Sequence, residues 1–176
     1  MLECNQPKRA LFTPHYDERS SYCGPTAMSA VTGLPVSLIK QTLRDLRMTD
    51  PRRRVRLQYD DGSVVERQLA TRIVGVGNDE MLKAMTLLGW RVIEQQESDN
   101  NLFKRNVFRL GDFLEAKGHD GPFIVNVTHH YIAVGAGEAC DTYTKIPIDI
   151  ARWRRGRKRW VQRWWKFAPI VEPNAC

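Results

Sequence analysis

Pro122-Phe123-Ile124-Val125-Asn126-Val127-Thr128 and Tyr131-Ile132-Ala133-Val134 are two β-rich, almost wholly apolar runs, and only His129 and His130 separate them. They read as consecutive strands of a mostly antiparallel sheet. Gly135-Ala136-Gly137-Glu138 turns the chain, and Ala139-Cys140-Asp141-Thr142-Tyr143 starts the next strand, which Asp141 opens. Upstream the apolar period is helical. Helices first and a sheet afterwards define the α+β class and argue against alternating βαβ units. A length of 176 residues fits one domain spanning 1–176, with a leading segment over 1–19 and a basic segment over 151–168.

The first helix is expected from Gly24 to about Thr32, stopped by Gly33. A second follows Leu34-Pro35, with Leu38, Ile39, Thr42, Leu43 and Leu46 on one face, Lys40, Arg44, Asp45 and Arg47 on the other, and Pro51 closing it. Val55, Leu57 and Tyr59, the turn Asp60-Asp61-Gly62-Ser63, and Val64-Val65 running towards Leu69 predict a hairpin with a solvated edge of Arg52, Arg53, Arg54, Arg56 and Arg67. Asn78 or Asp79 is expected to cap a third helix carrying Met81, Leu82, Met85 and Leu88, ended by Gly89. Trp90, Val92 and Ile93 read as a strand, Gln95 to Asn101 as a polar loop, and Leu110 to Gly118 as a short helix with Asp112 ahead and Gly118 behind.

No apolar run is long enough to span a bilayer, and Met1-Leu2-Glu3-Cys4-Asn5-Gln6 has no signal-like apolar core, so a cytoplasmic protein is expected. Cys4, Cys23, Cys140 and Cys176 lack zinc or disulfide-framework spacing, which fits free thiols in a reducing compartment. Neither a metal nor another cofactor is expected; the adjacent His129 and His130 point to opposite faces of a strand.

In Ser20-Ser21-Tyr22-Cys23-Gly24-Pro25-Thr26-Ala27 a cysteine stands at the first turn of a helix, where Pro25 loses no hydrogen bond. Uncapped N–H groups and the helix dipole favour a thiolate there, the form that attacks a carbonyl carbon. The other reading of Cys23 is a small buried hydrophobe. A nucleophile needs a base and the base an orienting group, and the sheet offers both: His130, directly before Tyr131-Ile132-Ala133-Val134, and Asp141 on the neighbouring strand. His130 is preferred to His129 because alternation lets only one of them point at Cys23.

Tyr22-Cys23-Gly24-Pro25-Thr26-Ala27, then His130-Tyr131-Ile132-Ala133-Val134, then Asp141-Thr142, resembles the papain-like cysteine peptidase superfamily. It is most similar to the branch of bacteriocin-processing (double-glycine leader) peptidases and phytochelatin synthases and to small phage and bacterial proteins of that plan. The resemblance implies a papain-like fold and a thiol protease or related hydrolase with Cys23 as nucleophile, His130 as base and Asp141 as orienting acid. A peptide or protein substrate and a bacterial cytoplasm follow from it. One departure stands out. The superfamily usually places a Gln before the Cys, whose amide helps bind the oxyanion, and none lies between Gln6 and Cys23. Ser20 and Ser21 are the candidate substitutes just upstream, along with His15, Tyr16 and Arg19; Asn126 is a further candidate, or a strand residue facing solvent.

The net charge of +7 is local. Arg152, Arg154, Arg155, Arg157, Lys158, Arg159, Arg163 and Lys166 lie in a stretch without an acid, so the rest of the chain is close to neutral. Interleaved with Trp153, Trp160, Trp164, Trp165 and Phe167, these cations fit nucleic-acid binding, an anionic membrane surface, or attraction of an acidic partner or substrate to a nearby cleft. The structural alternative is an exposed turn at Arg155-Gly156-Arg157-Lys158, with the aromatics packing a last hairpin on the core. A catalytically weak or inactive protein of papain-like plan, virion-associated or holding nucleic acid through Arg152, Arg154, Arg155, Arg157, Lys158 and Arg159, is the second functional reading.

Overall fold

The small-residue run after Cys23 forms α1 (Cys23–Thr32), buried from Gly24 to Val31, because Ala27 and Ala30 let it approach its neighbours closely. Gly33 ends it with φ 76°, donating its N–H to the Ser29 carbonyl at 2.8 Å. The computed structural model describes residues 10–15, 22–50, 54–68, 73, 75–96 and 109–170. Among these, α2 (Val36–Thr49), β1 (Arg54–Gln58), β2 (Val64–Gln68), α3 (Asn78–Leu87), β3 (Trp90–Gln95) and α4 (Leu110–Lys117) follow α1 in order. β4 (Phe123–Val127), β5 (His130–Gly135), β6 (Glu138–Cys140), β7 (Ile148–Asp149) and β8 (Val161–Pro169) complete an α+β fold.

Strands β3-β8-β4-β5-β6-β7 form one six-stranded sheet in that order, every neighbouring pair antiparallel. Its alternation separates two cores. Ile124, Tyr131, Ala133, Cys140, Trp165 and Phe167 meet α1, α2 and α3 on one face. Phe123, Val125, Val127, Ile132, Val134 and Trp164 meet Leu110, Phe113 and Leu114 of α4, together with Trp153, on the other. Both faces are covered, which is why these strands read as continuous apolar runs.

The last strand departs from expectation. Val161 to Pro169 is not part of a closing hairpin but lies between β3 and β4, in register Ile124↔Trp165 and Val92↔Phe167. Trp164 faces one core and Trp165 and Phe167 the other, a pattern that only an internal strand can bury. The hairpin β1–β2 forms as predicted, Leu57 opposite Val65, as a separate two-stranded sheet whose turn is tied by Asp61 Oδ1 accepting the Ser63 N–H at 2.8 Å. Arg52, Arg53 and Leu69 lie outside the described residues.

In α2 the predicted faces are partly exchanged: Leu38 is exposed, whereas Lys40 and Arg47 are buried. Partners explain this. The Lys40 ammonium sits 5.8 Å from the Tyr22 ring centroid, and Arg47 donates to the Gly75 carbonyl and to both carboxylate oxygens of Glu80. Neither Asn78 nor Asp79 caps α3; Gly77 precedes it and donates its N–H to Glu80 Oε2 at 3.4 Å. Asp112 likewise lies inside α4, accepting the Arg109 N–H at 3.2 Å from the third helical position. Among the described residues no helix is long and apolar enough to cross a membrane.

The β4–β5 connection is the tightest feature of the sheet. Val127 pairs with His130, so Thr128 and His129 alone make the turn, with φ 45° and 64°. Two positive φ values are the signature of a type I′ turn, which suits Asn-Gly and strains a β-branched threonine. Replacing Thr128→Asn together with His129→Gly is expected to stabilise the protein by about 1–2 kcal/mol in chemical denaturation. Unchanged or lower stability would show that the turn is not strained.

Candidate active site

Cys23 is the first helical residue of α1, behind an extended Tyr22 that provides no side-chain cap, and the first turn holds no acid. The helix therefore presents its positive end to the sulfur without a competing carboxylate, and the Gly24 N–H bonds to it. Pro25 occupies the third helical position, where its missing N–H interrupts no intrahelical bond. Gly24 is required by close packing: a Cβ there would stand 2.9 Å from Val76 Cγ2. Gly24→Ala is expected to cost about 1–3 kcal/mol and to slow alkylation of Cys23, and Val76→Ala on the same chain is expected to restore most of both. A Gly24→Ala protein of wild-type stability would remove this role.

His130 begins β5 directly after the two-residue turn, at the end of the sheet against which α1 packs. Asp141 does not open a strand as expected; it follows Cys140, the last residue of β6. Antiparallel geometry requires this. Ala133 pairs with Cys140, so the entrance of β5 lies beside the exit of β6, not beside its entrance.

His130 Nε2 lies 2.9 Å from Asp141 Oδ2. The other carboxylate oxygen, Oδ1, accepts the N–H groups of Tyr143 and Thr144 at 2.9 Å each, and the Thr144 hydroxyl accepts the Asp141 N–H at 3.1 Å. Asp141 is only 1% exposed, yet both its oxygens are satisfied. Burial by itself would raise its pKa; the bond to His130 and the two N–H donors outweigh it and hold the carboxyl below the usual range.

With Nε2 engaged, Nδ1 is the ring nitrogen left for the thiol, to which the His130 side chain bonds. Burial disfavours a charged imidazole, but the bonds to Asp141 and Cys23 and the charges of both raise His130 to about 9. Burial likewise opposes a thiolate at Cys23. The His130 bond, the Tyr131 N–H, the imidazolium charge and the Gly24 N–H reverse the balance and place the thiol below its ordinary pKa. Each group thus favours the charged form of the other, so the two titrations are coupled. Cys140 is the contrast: buried and beside Asp141, its thiol is pushed up to about 12.

Further side chains frame this set. The Tyr143 ring lies 5.4 Å from that of His130, centroid to centroid. On the α3 side, Asn78 Oδ1 accepts the Tyr131 hydroxyl at 2.6 Å and the Asn126 amide at 3.1 Å. Asn126 is thus buried and bonded, not a solvent-facing strand residue, and its Oδ1 has no partner among the described residues. As an oxyanion donor it has one N–H already committed to Asn78. Ser20 and Ser21, like Gln6, Tyr16 and Arg19, lie outside the described residues; the His15 carbonyl accepts the Val36 N–H at 3.0 Å. A cleft of about 860 Å³ is lined by Arg47, Asp50, Asn78, Asp79, Lys83 and Arg163, between the end of α2 and the start of α3.

The basic segment divides. Arg152, Arg154, Arg155, Lys158 and Arg159 are exposed. Arg157 is turned inward, bonding Glu115 at 2.6 Å and the carbonyls of Ile150 and Trp153. Trp153, Trp164 and Trp165 are buried, and Trp160 is half exposed with Arg109 over its ring. The sequence marks Asn78 only as a helix-cap candidate and Tyr143 only as part of a strand, neither as a site residue. Thr142 and Tyr143 do not continue a strand as expected but lie in the turn after β6, which brings Tyr143 back beside His130. Among the described residues no three His, Cys, Asp or Glu side chains form a metal-binding group. No family model, curated protein or solved structure matches this chain.

Proposed function

We propose that this chain is a papain-like cysteine hydrolase, most simply a peptidase, working through Cys23, His130 and Asp141. The observation that carries the reading is the hydrogen-bonded chain from the Cys23 sulfur through the His130 ring to the Asp141 carboxylate, with the thiol pKa lowered and the imidazole pKa raised. Support also comes from the order of elements, a cysteine on a helix start packed against an antiparallel sheet that delivers the histidine and the acid.

In this mechanism the Cys23 thiolate attacks the carbonyl carbon, forming a C–S bond. The C–N bond then breaks as the His130 imidazolium passes its proton to the departing amine. Water attacks the thioester, His130 takes its proton, and the acid product leaves with the thiolate restored. Asp141 keeps the ring oriented and stabilises its charged form. The positive end of α1 supplies the oxyanion stabilisation that the missing upstream Gln gives elsewhere.

The test is to mix the full chain with peptide p-nitrophenyl esters, quench in acid and measure intact mass. An acyl adduct on Cys23 that is absent from Cys23→Ala supports the reading; no adduct across varied peptides contradicts it. The second reading, nucleic-acid binding through an inactive scaffold, rests on the exposed cations. It is weakened by the burial of Trp153, Trp164 and Trp165, which cannot stack on bases. Filter binding across salt concentrations separates the two, because phosphate contacts give a steep salt slope.

A further inference from the structure

We propose that the cations of the 152–159 turn form an anion subsite of this same centre, one that selects peptide substrates carrying a carboxylate on the part that lies over His130. The inference rests on the hydrolase reading and deepens it. The Arg155 guanidinium stacks 3.5 Å from the Tyr143 ring centroid, and that ring is 5.4 Å from His130. A small recess is lined jointly by His130, Asp141, Tyr143, Arg155 and Arg159. The charged turn is therefore part of the wall behind the candidate base, not a remote surface.

The turn is also held in place. Leu110 and Gly111 of α4 donate their N–H groups to the Arg159 and Arg157 carbonyls at 2.9 Å each. Trp153 Nε1 donates to the Arg155 carbonyl at 2.6 Å, and Arg157 is tied to Glu115. A fixed frame lowers the entropic cost of gathering like charges around a ligand.

Three acids around the turn are already engaged: Asp141 by His130 and two N–H groups, Glu115 by Arg157, and Asp149 by the Ala151 N–H at 2.6 Å. Arg152, Arg154, Arg155, Lys158 and Arg159 are left facing solvent with a uniform sign. The large cleft offers no such bias, since Asp50 and Asp79 there offset Lys83 and Arg163. Charge selection thus belongs to the His130 side.

Three electrophiles identical except for charge test this on the full chain: iodoacetyl-Gly-Gln amide, iodoacetyl-Gly-Glu amide and iodoacetyl-Gly-Gln with a free carboxylate. Alkylation of Cys23 is read by mass spectrometry and divided by the iodoacetamide rate on the same variant, which cancels changes in the thiolate itself. At low salt an anionic probe is expected to react about fivefold faster than the neutral one, the excess disappearing at about 0.5 M salt. Preference for the Glu amide assigns the subsite to an acidic side chain, and preference for the free acid assigns it to a chain terminus.

Arg155→Gln with Arg159→Gln is expected to bring the ratio close to unity. Arg154→Gln with Arg159→Gln, which leaves the Tyr143 stack intact, is expected to lower it part of the way. A wild-type ratio of unity with Cys23 reactive overturns the subsite alone, whereas an unreactive Cys23 overturns the hydrolase reading beneath it. An oligonucleotide that slows all three probes equally, with the ratio insensitive to the arginines, overturns the proposal in favour of a nucleic-acid surface.

Discussion

His130→Ala is expected to slow alkylation of Cys23 at pH 6.5 by about tenfold or more. The argument is one of thiolate population. His130 gives the sulfur a hydrogen bond and a positive charge, and these, with the N–H groups of Tyr131 and Gly24, overcome burial. Without the ring, burial is opposed only by two backbone donors, the thiol pKa moves back up, and the thiolate fraction at pH 6.5 falls. Ester or peptide turnover loses the general acid as well, a further factor of about 10² to 10⁴. Iodoacetamide kinetics followed by mass spectrometry check the first loss; alkylation within a few-fold of wild type would mean that the dipole of α1, not His130, activates the thiol.

Asp141→Asn is expected to be nearly as damaging to turnover, by about 10³- to 10⁴-fold, through a different route. The carboxylate raises His130 both by bonding Nε2 and by its charge. A neutral amide removes the charge, and it cannot accept from His130, Tyr143 and Thr144 in the same way, because one of its two atoms is a donor. The sign is definite. The alkaline limb of turnover, expected near pH 9 from the His130 value, moves down towards the ordinary histidine range. Stability falls too, by about 1–3 kcal/mol, because a buried N–H donor is left facing another donor. An alkaline limb unmoved in Asp141→Asn would mean that another group titrates there.

The helix start, the paired apolar strands and the order Cys23, His130, Asp141 were legible because each depends on local rules. A proline and a glycine mark a first turn, a two-residue gap links strands, and alternation selects one histidine of two. Asp141 was found for a reason that needed correction, since it leaves its strand instead of entering it. What local rules could not supply was tertiary. The burial of Lys40 and Arg47 depends on Tyr22, Gly75 and Glu80, which lie on other elements. The central place of β8 depends on which strands flank it. The basic segment misled in proportion to its length: its tryptophans fill two cores and Arg157 braces the turn, leaving a smaller set of cations beside His130.

The central claim is that Cys23 rests as a thiolate paired with the His130 imidazolium. Limiting iodoacetamide on the full chain, with the modified residue located by tandem mass spectrometry from about pH 5 to pH 10, tests it most directly. The expected result is label on Cys23 ahead of Cys4, Cys140 and Cys176, with a rate that persists below the ordinary thiol range and changes again near pH 9 as His130 loses its proton. Label spread over Cys4 and Cys176, or a Cys23 rate rising through a single midpoint at the ordinary thiol pKa, would contradict it.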